Sequence, residues 1–262
     1  MNEYISEDIW IQGRFRRIAA TYTLPAGKKD IPFVVMLHGT GSCRHEVYDG
    51  YRVLSRRLAE NGIANIRFDF AGCGDSPVDY SEYTMKSALE DTQDVVTWIR
   101  AREEINPERF GLIGWSQGAM LAVMRAGTDE KVKSLVTWAC ALKMNDFWIE
   151  HKAKALRNGV VRIECDWRPP LNVSAEWFRE AETTDAAEYL PGYHGAVFAV
   201  CGSRDEYHFD RNSPVIVEKC AGTDKLQWLV PDGNHIFNID SGNTTLFDEV
   251  VERTVCRFAT TL

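Results

Sequence analysis

GLIGWSQG, residues 111–118, sets one serine between two glycines directly after an apolar run. RFGLIGW (109–115) reads as a buried strand, and the residues from about 117 to 126 read as a helix stopped by Gly127. Ser116 then stands at the tip of a tight strand-to-helix turn. A turn of that kind brings two backbones close together and needs small neighbours, which Gly114 and Gly118 supply. The N-terminus of the helix also turns free N–H groups and a positive dipole end toward the hydroxyl. The five-residue pattern alone is weak, arising by chance in roughly one chain in ten of this length. Its placement between strand and helix is what gives it weight.

The same strand–helix rhythm extends in both directions. Strands near 4–11 and 15–23 form a hairpin turning at Gln12-Gly13. FVVMLHG (33–39) is a β-branched run without polar alternation, as expected of a strand buried on both faces. A helix over 46–61 ends at Gly62, and IANIRFDF (63–70) is the next strand. Met85, Ala88, Leu89, Thr92, Val95, Val96 and Ile99 fall at helical spacing within 85–103, with Thr84 as the N-cap. SLVTWACAL (134–142), AVFAVCG (196–202) and LQWLV (226–230) are further strands, and a helix over 244–260 closes the chain. The pattern predicts an α/β fold with a mostly parallel eight-stranded sheet and helices on both faces. Residues 143–193 interrupt it with a polar, aromatic-rich segment. About fifty residues rarely build a core alone, so this segment is expected to be a cap inserted into a single domain over 1–262.

A serine hydroxyl needs a base, and the base needs a group to orient it. In a parallel sheet both belong at the C-terminal ends of later strands. Ser203-Arg204-Asp205 follows the strand at 196–202, and Pro231-Asp232-Gly233-Asn234-His235 follows the strand at 226–230. Ser116, Asp205 and His235 are therefore the expected nucleophile, acid and base. His208 is the rival base, disfavoured because it lies three residues past Asp205; Asp210 and Asp232 are the rival acids. The oxyanion of a tetrahedral intermediate needs N–H donors. The backbone N–H of Gln117 is one candidate, and that of Thr40, in the loop His38-Gly39-Thr40-Gly41, is the second. His38 is read as a structural residue hydrogen-bonded under that loop.

With the LHGTG loop, the stretch IRFDFAGCGDS, GWSQG and the aspartate and histidine sites in hand, the sequence resembles the α/β-hydrolase superfamily over nearly its whole length. More narrowly it is similar to small bacterial serine carboxylesterases of the feruloyl and cinnamoyl esterase type. VSAEWFREAETTDAAEYLPGYHG looks like the end of that subfamily's compact cap. The resemblance implies hydrolysis of small acyl or aryl esters, hydroxycinnamoyl esters among them, through an acyl-enzyme. Two positions depart from the subfamily pattern: Thr40 stands where many relatives carry a bulky residue, and Trp115 where they carry a histidine. Both bear on acyl preference. Trp115, Trp148 and Trp167 are candidate substrate contacts, the bland alternative being that the cap aromatics simply pack the cap onto the sheet. A thioesterase or carbon–carbon bond hydrolase shares the same three residues, and a non-catalytic binding protein shares the fold.

The bulk composition narrows the partners. The 262 residues are 45% apolar and 26% charged, with a formal net charge of −8. An acidic chain without a basic run is a poor partner for nucleic acid. No apolar stretch approaches the roughly 20 residues of a membrane span, and MNEYISEDIW, with neither a basic nor an apolar region, leads to the expectation of no secretory signal. Seven scattered cysteines without a CxxC pair suggest neither a zinc site nor a redox dithiol, and they fit a cytoplasmic location. No metal or cofactor is expected, and the expected partner is a small-molecule ester. Homodimerisation stays open.

Overall fold

A computed structural model describes residues 3–165 and 168–262. The apolar run before Ser116 is the C-terminal half of strand β5 (Ile105–Trp115), and helix α3 (Gln117–Ala126) begins two residues after it. Before it come β1 (Tyr4–Gln12), β2 (Arg17–Pro25), β3 (Ile31–Leu37), α1 (Gly50–Glu60), β4 (Ala64–Phe68) and α2 (Met85–Arg100). After it come β6 (Val132–Trp138), α4 (Ile149–Asn158), β7 (Val160–Cys165), β8 (Arg168–Ser174), α5 (Ala175–Thr183), β9 (Ala196–Gly202), α6 (Asn212–Lys219), β10 (Lys225–Val230) and α7 (Thr245–Thr261). Among the described residues no helix is long and apolar enough to cross a membrane.

Eight strands form one sheet in the order β1-β2-β4-β3-β5-β6-β9-β10. The pairings β1–β2 and β2–β4 are antiparallel, and the pairings from β4 through β10 are parallel. Strand β3 shows why its sequence lacks polar alternation. Phe33, Val35 and Leu37 enter a core beneath α2 and α3, whereas Val34 and Met36 enter a second core beneath α1 and α7. A strand covered on both faces gains from an apolar residue at every position, at roughly 1.5–3 kcal/mol for each large side chain buried.

Helix α3 is buried at nine of its ten residues. Gly118 lets it approach the end of β3, and the chain leading into β9 packs against it. Gly127, directly after the helix, lies against the Tyr189 backbone of that chain.

Three expectations shift. The helix expected over 46–61 begins only at Gly50, because Glu46, Tyr48 and Asp49 hold positive φ. The strand expected over 134–142 ends at Trp138, because Ala139 turns away at φ 45°. Helix α6 lacked a helical reading altogether.

The segment between β6 and β9 holds α4, the antiparallel hairpin β7–β8, and α5. Trp177 and Phe178 of α5 are buried in the same core as α2 and α3. The Glu180 carboxylate of α5 accepts the N–H groups of Met85 (2.6 Å) and Lys86 (3.2 Å), so this segment caps the N-terminus of α2.

Candidate active site

Ser116 links β5 to α3 with φ 55° and ψ −118°. A non-glycine residue held in so sparsely populated a region costs about 1–3 kcal/mol, and surrounding packing must hold it there. The two glycines show how. A Cβ on Gly114 would lie 2.1 Å from the Gly118 carbonyl oxygen, and a Cβ on Gly118 would lie 2.1 Å from the Leu37 carbonyl oxygen. The turn is thus compressed against itself and against the end of β3. The Ser116 N–H donates to the Trp138 carbonyl at 2.8 Å, which anchors the tip to the neighbouring strand.

Asp205 and His235 follow β9 and β10. Those two strand ends are pinned together, with Ser203 N–H donating to Val230 O (2.9 Å) and Arg204 N–H to Gly233 O (2.8 Å). His235 Nδ1 lies 2.8 Å from Asp205 Oδ2. A carboxylate only accepts, so Nδ1 carries the proton and Nε2 keeps its lone pair. Burial pushes the Asp205 carboxyl up, but hydrogen bonds from His235, the Tyr207 N–H and the Cys201 thiol outweigh it and hold it below the usual range. The rest of His235 is equally constrained. Its N–H donates to Glu206 Oε2 (3.0 Å), its carbonyl accepts the Trp115 indole N–H (3.2 Å), and the Tyr207 and Phe209 rings pack edge-on against the imidazole.

Ser116 and His235 line one cavity of about 480 Å³. Thr40, Trp115, Met144, Phe147 and Tyr207 contribute to its walls, as do Glu46 and Glu206. The lining residues include two carboxylates and neither lysine nor arginine. Among the described residues, neither the Thr40 N–H nor the Gln117 N–H donates to a protein acceptor, and Gln117 opens a helix, where such donors are free.

The rivals stand elsewhere. Asp232 pairs with Arg204 on the surface. His208 is exposed and gives its backbone N–H to the Asp205 carbonyl. Neither these two nor Asp210 lines the cavity.

His38 is buried between its loop and the next strand end. Its Nδ1 lies 2.8 Å from Gly39 O, and its Nε2 accepts the Phe70 N–H at 3.2 Å. Burial holds its pKa down, against the pull of Glu46 and Asp69. The stretch IRFDFAGCGDS has a parallel role. Asp69 accepts the Arg44 N–H (2.6 Å) and the Asp75 N–H (2.9 Å) and pairs with the Arg44 guanidinium, clamping the loop after β3 to the loop after β4.

The two candidate tryptophans among the described residues have different surroundings. Trp115 lines the cavity with part of its surface but is 2% exposed, packed among Tyr51, Trp138, Phe237 and Phe247. Trp148 is absent from the cavity wall and packs on Phe147, Trp177 and the Arg168 guanidinium. Trp167 lies outside the described residues. The sequence reading missed Phe147, Met144, Glu46, Glu206 and Tyr207. Glu206 and Tyr207 could have been found as the immediate neighbours of Asp205, and Phe147 as the aromatic neighbour of Trp148, but nothing in the sequence marks Met144 or Glu46. Among the described residues no cluster of three or more His, Cys, Asp or Glu side chains could hold a metal ion.

A family model described as the alpha/beta hydrolase family matches residues 34–245. Est1E from Butyrivibrio proteoclasticus, solved with ferulic acid bound, superposes with a TM-score of 0.75 at 17% identity, covering 96% of this chain and 99% of that one. An uncharacterised 31.7 kDa protein of the Escherichia coli traX-finO intergenic region is 29% identical over 120 residues, which is 46% of this chain and 41% of that protein. Esterase EstD of Thermotoga maritima is 22% identical over 261 residues, 91% of this chain and 61% of EstD. The chain thus spans less than two thirds of the length of these curated relatives.

Proposed function

The chain belongs to the alpha/beta hydrolase family, and from that membership we propose that it is a serine carboxylesterase cleaving small acyl or aryl esters, hydroxycinnamoyl esters among them. The observation that carries the reading is the shared cavity. Ser116, on a strained turn at φ 55°, faces the same space as a His235 whose Nδ1 is bonded at 2.8 Å to a buried carboxylate.

In this mechanism Ser116 Oγ attacks the ester carbonyl while His235 Nε2 takes its proton. Asp205 fixes the imidazole tautomer and stabilises its charged form. The Thr40 and Gln117 N–H groups bind the oxyanion, each worth about 3–4 kcal/mol in the transition state. The alcohol leaves with the proton from His235, and water repeats the sequence on the acyl-enzyme. Phe147, Tyr207 and Phe209 offer aromatic faces for an aryl group, and kinship with the ferulate-binding fold of Est1E supports the hydroxycinnamoyl reading. Glu46 and Glu206 disfavour phosphate-bearing thioesters, because an anion entering this cavity meets like charge.

Initial rates on methyl ferulate and p-nitrophenyl butyrate test the reading, with Ser116→Ala as the blank. We expect turnover of both esters and a loss on the order of 10³-fold or more in the variant. Turnover of butyrate alone would leave the mechanism and remove the aryl preference. A variant as active as wild type would remove the nucleophile assignment.

A further inference from the structure

Glu46 lines the cavity yet takes no part in the steps above. Its backbone stands at φ 60° and ψ 176°, a region populated almost solely by glycine. A glycine would sit there freely. The glutamate is 8% exposed, and both its oxygens are engaged by its own loop. Oε1 accepts the Gly39 N–H, and Oε2 accepts the Ser42 hydroxyl (2.9 Å) and the Val47 N–H (3.0 Å). A negative charge beside a developing oxyanion opposes the reaction electrostatically. Its presence therefore needs a compensating role, and the peptide planes of the loop supply one.

The Gly39 carbonyl and the Thr40 N–H belong to one trans peptide and point in opposite directions. The carbonyl is held by the His38 ring (2.8 Å) and the Ser42 N–H (3.2 Å). Thr40, itself in the cavity wall, must then direct its N–H to the other side. Glu46 fixes the preceding N–H, that of Gly39, and the Ser42 side chain that closes the turn. The Gly39 N–H, bound to Glu46, is withdrawn from the oxyanion, and the Thr40 N–H is left as the donor from this loop.

We propose that Glu46 is the positioning residue of the oxyanion hole, its carboxylate locking the Gly39–Ser42 turn so that the Thr40 N–H meets the ester oxygen. The proposal rests on the serine-esterase reading, and its test keeps the two apart. Glu46→Gly and Glu46→Gln are compared with wild type for kcat and KM on p-nitrophenyl butyrate, for Ki of a trifluoromethyl ketone, and for Tm. The ketone forms a tetrahedral adduct with Ser116 and reads the oxyanion hole directly.

We expect Glu46→Gly to lose on the order of 10²-fold in kcat and in ketone affinity. KM should stay within about threefold, and relief of the backbone should offset part of the three lost hydrogen bonds, so that the variant stays folded at the assay temperature. Glu46→Gln still accepts the Gly39 N–H but cannot accept from both Ser42 and Val47 as the carboxylate does, and it should fall between the two. A glycine variant with kcat and ketone affinity unchanged overturns the proposal, as does one that loses KM alone, which would make Glu46 a substrate contact. If the glycine variant does not fold, a folded Glu46→Gln with wild-type kcat and ketone affinity overturns it equally. Wild type that hydrolyses neither ester and resists a fluorophosphonate overturns the esterase reading and this role together, whereas an active wild type with indifferent Glu46 variants overturns this role alone.

Discussion

At the scale of single residues, sterics and hydrogen bonding leave different traces in a sequence. Gly114 and Gly118 were readable because no other side chain fits where two backbones touch. Adding one methyl at Gly118 would set it 2.1 Å from Leu37 O and 2.5 Å from His38 O, both backbone atoms that cannot swing aside. Gly118→Ala should therefore cost about 3 kcal/mol or more. That corresponds to a Tm lower by roughly 6–12 °C, with the proposed ester hydrolysis lost in parallel. A variant melting with wild type would mean that β3 and α3 do not approach as described. Glu46 left no such trace, since a glutamate in a polar loop reads as a solvated charge until its oxygens are seen to be occupied.

At the scale of elements, local signals fared best where the determinant was local. Thr84 caps α2 as its sequence suggests, its hydroxyl accepting the Ser87 N–H (3.0 Å) while Ser87 Oγ accepts the Thr84 N–H (2.9 Å). The left-handed residues before α1 carry no periodic signature, so periodicity alone extends the helix four residues too far. The same α2 carries a buried titratable carboxylate. Asp91 is buried against Arg16 of the β1–β2 turn, at 3.0 and 3.2 Å. Burial pushes its carboxyl up to about 6 despite the opposing pull of Arg16.

Because the folded pKa exceeds the unfolded one of 3.8, the native state holds the proton more tightly between the two values. This group's contribution to stability is therefore greatest below pH 4 and declines as pH rises through 6, by about 3 kcal/mol in all. Urea unfolding of wild type and Asp91→Asn from pH 7 to pH 4 measures it. The stability of wild type relative to the variant should rise as pH falls, and a constant difference would contradict the assignment.

At the scale of the whole molecule, the segment between β6 and β9 supplies Met144 and Phe147 to the cavity wall. Phe147 reaches the cavity wall, whereas its neighbour Trp148 packs on Trp177, their ring centroids 5.5 Å apart. One position along the chain thus separates a wall residue from a packing residue. Phe147→Ala should raise KM for methyl ferulate about 5–10-fold, with a smaller effect on p-nitrophenyl butyrate, since an aromatic contact is worth about 0.5–1.5 kcal/mol beyond its buried area. Trp148→Ala should lower Tm and leave the ratio of the two kcat/KM values unchanged. Opposite results for the two variants would place Trp148, not Phe147, against the substrate.

The sequence by itself determined the alternation of strands and helices, the glycine-flanked turn at Ser116, and the chain order of serine, aspartate and histidine at successive strand ends. Each depends on side-chain period or on the space around one peptide, quantities written in neighbouring residues. Only the tertiary structure decided that Glu46 grips the loop bearing Thr40, that Glu206 holds His235 from 29 positions away, and that Phe147 rather than Trp148 reaches the cavity. The Glu46 contacts are local but hang on a positive-φ backbone that no periodicity announces, and the other two join segments far apart in the chain. Their geometry arises from packing, which neither composition nor periodicity encodes.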